Sequence, residues 1–263
     1  MSIGRRAFLG GALAIALMSL GASRLAAEDV SKILAPSGRL KAGLYPGTPT
    51  SILAAPAGQD SRGVGFEIGR ELAKRLGVPY EPVVFTKNAE VLDAVKSGKV
   101  DVVFTNASAA RAKEMDFGPP YLEIELGYLA AKGSPVTSVD RIDEAGRRVG
   151  VTTGSSSDGV LSASLKNATV VRIDTFPQVV DMMKAGQIDV FATNKATLFE
   201  LAEKAPGSVM LDGRWGLERH AIAIPKGREQ ALPELGDFTN KLRASGFVKS
   251  AADRAGLKGA VTQ

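Results

Sequence analysis

Two stretches of this chain echo one another. VLDAVKSGKVDVVF at residues 91–104 and VVDMMKAGQIDVFA at residues 179–192 share one pattern: an apolar-faced helix, a glycine, a cation or amide, an apolar residue, an aspartate and an apolar strand. Such a repeat within 263 residues implies two similar α/β bodies, one after the other. Around each echo, strand and helix signals alternate. In the first half, residues 40–44 read as a strand and 64–76 as an amphipathic helix with Gly77 at C′. Residues 80–85 read as a strand, 89–97 as a helix closed by Gly98, and 100–104 as a strand. In the second half, 148–152 is a strand and Gly154-Ser155-Ser156-Ser157-Asp158 opens a helix. A strand at 170–173, a helix at 176–185 closed by Gly186 and a strand at 188–192 follow. This order calls for parallel sheets with right-handed crossovers. Apolar segments at 125–132 and 220–225 are expected to cross between the two bodies. Residues 232–245 and 248–255 read as closing helices, and 257–263 as a frayed end. The Pro-, Gly-, Thr- and Ser-rich loop 45–61 is long, as functional loops often are.

The N-terminus reads as an export signal. Arg5-Arg6 precede Ala7-Phe8-Leu9 and an apolar run to Leu20. That run suits a signal core and falls short of the about 20 apolar residues that span a bilayer. The paired arginines resemble the twin-arginine motif, Arg24 suits that route, and Ala26-Ala27 place cleavage near Ala27. The expectation is a periplasmic protein with 1–27 as its signal peptide and no insertion in the membrane. The whole chain carries +5; residues 1–27 hold three arginines and no acid, so the mature charge is +2. Bases are interspersed with acids, as in GRELAKRLG, which argues against a phosphate-tracking stripe and against nucleic acid as a partner. With no cysteine there is no disulfide, thiolate nucleophile or cysteine-held metal. Gly154-Ser155-Ser156 is not a P-loop, since no Gly-Lys-Ser/Thr follows, and no cofactor or metal is expected.

The chemistry gathers in GKVDVVFTNASAARAKEMDFGPPY, Gly98 to Tyr121. An apolar strand runs into a polar loop whose cation is Arg111, three residues after Ser108. Ligands of open α/β sheets settle beyond the carboxyl ends of the strands. A guanidinium there suits a bidentate carboxylate contact. The bland alternative is a solvated arginine paired with Glu114 or Asp116. His220, the single histidine, reads as a hinge or surface residue. Glu123 and Glu125 alternate along the first crossover, so one of them is expected to face the cleft.

In order, GVGFEIGRELAKRLG, SGKVDVVFTNASAARAKEMDFGPPY, RVGVTTGSSSD, DTFPQVVDMMKAGQIDVFATN and HAIAIPKG resemble the family 3 bacterial solute-binding proteins, receptors of ABC importers for polar amino acids and related solutes. The resemblance runs over roughly residues 36–256. It implies an α/β, type II-like periplasmic-binding-protein clamshell, each lobe a mostly parallel sheet flanked by helices. Lobe 1 would comprise 28–131 and 222–263 and lobe 2 would comprise 132–221, joined by two crossover strands. It implies a non-enzymatic monomer that closes by hinge motion over a small carboxylate-bearing solute, an amino acid or related organic acid, and docks on a membrane permease. By the same resemblance Arg111 grips the α-carboxylate, Ser108 and Asn106 assist, and Ser155 and Ser156 at the second lobe's helix-opening turn complete the grip.

Two positions depart from the family's pattern. The aspartate that commonly holds a ligand's ammonium is here Asn194. The aromatic motif that covers the ligand is replaced by Gly47-Thr48-Pro49-Thr50-Ser51-Ile52, leaving Tyr45 and Phe85 as candidate covers or simple core residues. Asparagine offers one neutral acceptor and an NH2 group. The expectation is therefore a carboxylate ligand without a standard α-ammonium, unless Glu123, Glu125 or Asp158 supplies the charge. Two other functions fit the same fold. One is an enzyme resembling the periplasmic cyclohexadienyl dehydratases, which would need a positioned acid or base. The other is an accessory or sensor protein that works without a transporter.

Overall fold

Asp101 and Asp189, the aspartates of the two echoed stretches, make the same bond. Asp101 Oδ2 accepts from the backbone N–H of Lys41 at 3.0 Å, and Asp189 Oδ2 accepts from that of Arg148 at 2.8 Å. Each N–H belongs to the strand lying parallel to the aspartate's own, so a carboxylate pins the start of each pair. This repeated tie is seen in a computed structural model of the protein, which describes residues 30–54 and 60–261. The signal-peptide reading of 1–27 lies outside those residues.

The first half contains β1 (Leu40–Leu44), α1 (Val64–Leu76), β2 (Tyr80–Val84), α2 (Asn88–Lys96) and β3 (Val102–Asn106). The long strand β4 (Met115–Ala130) leads to the second half. There lie β5 (Arg148–Thr152), α3 (Ser156–Ser164), β6 (Thr169–Ile173), α4 (Phe176–Lys184), β7 (Val190–Asn194), α5 (Lys195–Lys204) and β8 (Val209–Met210). The chain returns along β9 (Gly216–Pro225) and closes with α6 (Leu232–Ala244), α7 (Phe247–Arg254) and β10 (Ala260–Val261). The strands run in the order β2-β1-β3-β9-β4-β7-β5-β6. β1 is parallel to β2 and β3, and β5 is parallel to β6 and β7. This is a two-lobed α/β architecture in which β4 and β9 run between the lobes.

Each lobe has its own core. Leu40, Leu44, Ile68 and Leu72 are fully buried in the first, and Leu129, Ile188, Phe191 and Leu198 in the second. α1 follows the expected helical spacing: its buried face includes Val64, Ile68 and Leu72, and Gly77 ends it in the left-handed region.

Several boundaries differ from the sequence reading: the strand expected at 188–192 is Val190–Asn194, and the crossover expected at 220–225 begins at Gly216. β3 begins two residues later than expected, at Val102, directly after Asp101, whose carboxylate and backbone N–H both bond Lys41. The first crossover starts at Met115, not near residue 125. It pairs antiparallel with β9 from Met115–Pro225 to Leu126–Gly216, with register shifts around Pro120. Prolines cannot donate to a ladder, so Pro119-Pro120 are accommodated where the pairing is irregular. The segment expected to fray instead pairs: Ala260 and Val261 lie antiparallel to Ile124 and Glu123.

The long loop after β1 is fixed by helix α1. Its Pro49, Thr50 and Ser51 carbonyls accept the first free N–H groups of α1, from Val64, Gly65 and Phe66, at 2.9, 3.0 and 3.0 Å. No side chain caps this helix. Backbone carbonyls take over the orphan donors of the first turn. Gly63 makes the approach possible: its φ is +140°, and a Cβ there would sit 2.4 Å from Ser51 O. Among the described residues no helix is long and apolar enough to cross a membrane.

Candidate functional site

The carboxyl ends of β1, β3, β5 and β7 meet around a cavity of about 80 Å³ between the lobes. Tyr45 follows β1, Thr105 and Asn106 end β3, Thr152 ends β5, and Thr193 and Asn194 end β7; all line the cavity. Strand ends of an open α/β sheet carry such sites because the adjoining loops splay apart there.

Arg111, in a short turn after β3, lines the cavity at 9% exposure. Ser108 Oγ accepts from its backbone N–H at 3.3 Å and so sets the turn. The guanidinium donates to Thr105 Oγ1 at 2.6 Å and, across the cleft, to the Gly154 carbonyl at 3.3 Å. Among the described residues it has no salt-bridge partner. The expected surface partners are taken elsewhere: Glu114 pairs with Lys96 at 3.1 Å and Asp116 with Lys226. Burial pushes the Arg111 pKa down, while the charge of Glu218 works in the opposite direction.

Glu218 and His220 lie on β9, two residues apart, and both line the cavity. Their exposures are 7% and 6%, while Arg219 between them is exposed. Residues two apart on a strand share a face. Glu218 Oε2 lies 3.0 Å from His220 Nε2 and accepts from Asn194 Nδ2 at 3.1 Å. Burial by itself would raise the Glu218 carboxyl pKa. His220, Arg111 and Asn194 outweigh it and hold the pKa below the usual range. His220 Nδ1 is buried without a hydrogen-bond partner. The surface reading of His220 is thus corrected: it is buried in the cavity wall, on β9, which runs between the lobes. The carboxylate beside Asn194 is none of Glu123, Glu125 and Asp158, the candidates the sequence offered, but Glu218, 3.1 Å away. The sequence signal was present in G-L-E-R-H, but it becomes legible only once the strand is known to start at Gly216.

The structure brings together Arg111, Asn106, Ser155, Ser156, Asn194 and Tyr45 around the cavity. Asn106 Oδ1 accepts from the Arg219 backbone N–H at 2.9 Å, and its Nδ2 donates to Ser156 Oγ at 2.9 Å. Ser155 caps α3, accepting from Asp158 N at 3.1 Å. Asp158 Oδ2 in turn accepts the Gly154 N–H at 3.0 Å. That amide of the turn is therefore already satisfied. Tyr45 stacks at a tilt on Phe176, ring centroids 5.1 Å apart, and burial pushes its hydroxyl pKa up to about 12.

Ser108, Phe85 and Glu125 do not line the cavity. Ser108 acts one step back, through the Arg111 turn. Phe85 packs against the first lobe's core with Lys99 Nζ 5.3 Å above its ring. Glu125 binds Lys195 at 2.6 Å and Arg214 at 3.2 Å, and Glu123 binds Arg219 at 2.8 Å. Glu123 and Glu125 are two apart, so they share the face opposite fully buried Ile124, and neither lines the cavity. Sequence reasoning passed over Thr48 and Thr50, which do line it. Thr48 Oγ1 lies 3.0 Å from both Thr50 Oγ1 and, across the cleft, Thr197 Oγ1. Further cross-cleft contacts run from Tyr45 Oη to the Asp174 carbonyl at 3.4 Å and from Lys87 Nζ to Asp174 Oδ2 at 2.6 Å. Among the described residues no group of three or more acids and histidines is placed to hold a metal ion.

Known proteins share this architecture. The chain is 26% identical over 261 residues to the L-cystine-binding protein TcyJ of Escherichia coli strain K12, covering 96% of this chain and 95% of that protein. The solute receptor for L-cysteine of Neisseria gonorrhoeae superposes with a TM-score of 0.75 at 26% identity, covering 86% of this chain and 92% of that one. The ancestral amino acid-binding protein AncCDT-1, a precursor of cyclohexadienyl dehydratase, superposes with a TM-score of 0.73 at 22% identity, covering 86% and 98%. Residues 40–255 match the bacterial extracellular solute-binding proteins, family 3, and the chain belongs to that family.

Proposed function

We propose that this protein is the periplasmic substrate-binding component of an ABC importer. It captures a small carboxylate-bearing solute between its lobes and delivers it, as a closed monomer, to a membrane permease. The observation that carries this reading is Arg111. It is a buried guanidinium in a strand-end cavity, bonded to hydroxyl and carbonyl oxygens and to no carboxylate of the described residues. No carboxylate of the described residues is hydrogen-bonded to this guanidinium, and a ligand carboxylate would fit its planar fork as a charge-assisted partner. Relatives named for cystine and cysteine favour an amino acid. The cross-cleft bonds Asn106–Ser156, Thr48–Thr197 and Lys87–Asp174 are those a hinge closure would make and an opening would break. The division expected from the sequence, 28–131 with 222–263 against 132–221, is kept in this proposal except that Leu129, near the end of β4, packs in the second lobe's core.

Calorimetry on Arg111 variants tests the proposal. A charge-assisted hydrogen bond contributes about 1.5–3 kcal/mol, so Arg111→Ala should weaken binding about tenfold to a hundredfold. Arg111→Lys should recover part of that, because an ammonium lacks the planar fork. Unchanged affinity in Arg111→Ala would place the carboxylate grip elsewhere. The buried Glu218–His220 pair favours one second reading, an enzyme on this scaffold, since it is a positioned acid and base. Turnover of the bound acid, followed alongside binding, decides between the two.

A further inference from the structure

Glu218 is a buried carboxylate that carboxylate capture does not use. It comes from β9, a strand between the lobes, rather than from the second lobe's β7, whose end is occupied by Asn194. Its two oxygens are treated differently. Oε2 is held by Asn194 Nδ2 and His220 Nε2, at 3.1 and 3.0 Å. Oε1 accepts no hydrogen bond from any described residue, and Glu218 lines the cavity. His220 lines the same cavity, and its buried Nδ1 has no partner.

The cavity wall therefore carries one cation, Arg111, one anion, Glu218, and an unused acceptor oxygen on that anion, Oε1. We propose that Glu218 is the anchor for the ammonium group of a zwitterionic α-amino acid, and that Asn194 and His220 are positioning residues that hold Oε2 so that Oε1 is left for the ligand. This inference rests on the reading of the cleft as a carboxylate receptor and names the class of solute it takes. A zwitterion sets its carboxylate on Arg111 and its ammonium on Glu218, and the buried charges stay balanced. An amine-free acid satisfies Arg111 but adds a negative charge beside Glu218 in a closed cavity. Uncompensated buried charge is the more costly case. The position that lacks an acid at the end of β7 is thus served by an acid from the crossover strand β9, on the far side of β4.

The test is a calorimetric series on the intact mature protein. The twenty L-amino acids and L-cystine are screened first, and the tightest is compared with its own 2-hydroxy analogue. The unmodified protein should prefer the amino form by at least about tenfold, the worth of one charge-assisted bond. Glu218→Gln should remove that preference by weakening the amino acid and strengthening the hydroxy acid, whereas Arg111→Ala should weaken both. His220→Gln, which keeps a donor for Oε2, should lose less of the amino-to-hydroxy ratio than His220→Leu. Equal or tighter binding of the hydroxy acid by the unmodified protein overturns the assignment without recourse to any variant. So does a Glu218→Gln protein that melts earlier but keeps its preference, which would make Glu218 a structural residue only. If no carboxylate of either kind binds, the receptor reading falls and this assignment with it.

Discussion

Asn194 is committed at both ends of its amide. Its Oδ1 accepts from Thr197 N at 3.0 Å, capping α5, and its Nδ2 donates to Glu218. Read as a sequence position, it showed what was missing, an acid. It did not show what stood in its place, because the partner lies 24 residues away on another strand. The two bonds predict the effect of Asn194→Ala. Loss of an N-cap costs about 0.5–2 kcal/mol. Loss of a donor to a buried carboxylate adds about 1–3 kcal/mol. Urea unfolding should show a lowered midpoint with an unchanged slope. Asn194→Ser, which can still cap, should recover the first contribution and not the second. A midpoint unmoved by Asn194→Ala would mean that neither bond matters to the fold.

At the scale of elements, the first turn of α1 and the loop before it are one unit. The loop's carbonyls serve the helix's N–H groups, and Gly63 allows the contact. A Cβ at Gly63 would meet backbone 2.4 Å away, and its φ of +140° is one that other residues rarely adopt. Gly63→Ala should therefore destabilise the protein by about 1–3 kcal/mol, the range for a residue held in a disfavoured backbone region. It should also weaken ligand binding, because Thr48 and Thr50 ride on the displaced loop. The check is a melt together with a titration; loss of stability with full affinity would separate the loop from the site. The strand elements teach a related lesson. Period-two alternation was read for Glu123 and Glu125, but two residues apart means the same face, and that face is turned outward by buried Ile124. The same rule applied to β9 puts Glu218 and His220 inward. It needed the strand to begin at Gly216, and polar residues at 218–220 hid that start.

For the whole molecule, acid should be the destabilising direction. Several carboxyls are held below their ordinary range. Asp143 is held by the backbone N–H groups of Ala168, Asn167 and Lys166, and Glu144, at about 2, by Arg141 and Arg147. Burial raises Asp189, yet its bonds to Arg148 outweigh this, and Glu218 is lowered by the neighbours already described. Their folded pKa values lie below the unfolded ones, about 3.9 for Asp and 4.3 for Glu. Their stabilisation is therefore complete above those values and is lost as pH falls through the folded ones. The melting temperature should change little from neutral pH to about 5 and fall between about 4 and 2. Added salt should soften the surface part of this effect, chiefly Glu144. A melting temperature that holds steady down to pH 2 would contradict the assignment of these bonds.

The sequence by itself determined the local and repeated features. The α/β alternation, the two-lobe duplication with its paired aspartates, the C-terminal glycine of α1 and the placement of Arg111 after a strand all rest on short-range rules. Periodicity, capping and turn chemistry act within about one or two turns of chain, and a single sequence displays them. Only the tertiary structure decided which polar groups share the cavity. Thr48 meets Thr197 and Asn106 meets Ser156 across the cleft, and Glu218 meets Asn194 through the pairing of β9 with β4 and of β4 with β7. A buried charge takes whichever partner the packing brings to it, and in this chain the partners come from strands and helices of both halves. Hence Arg111 was legible in advance, while Glu218 and His220 emerged only once the crossover strands were laid side by side.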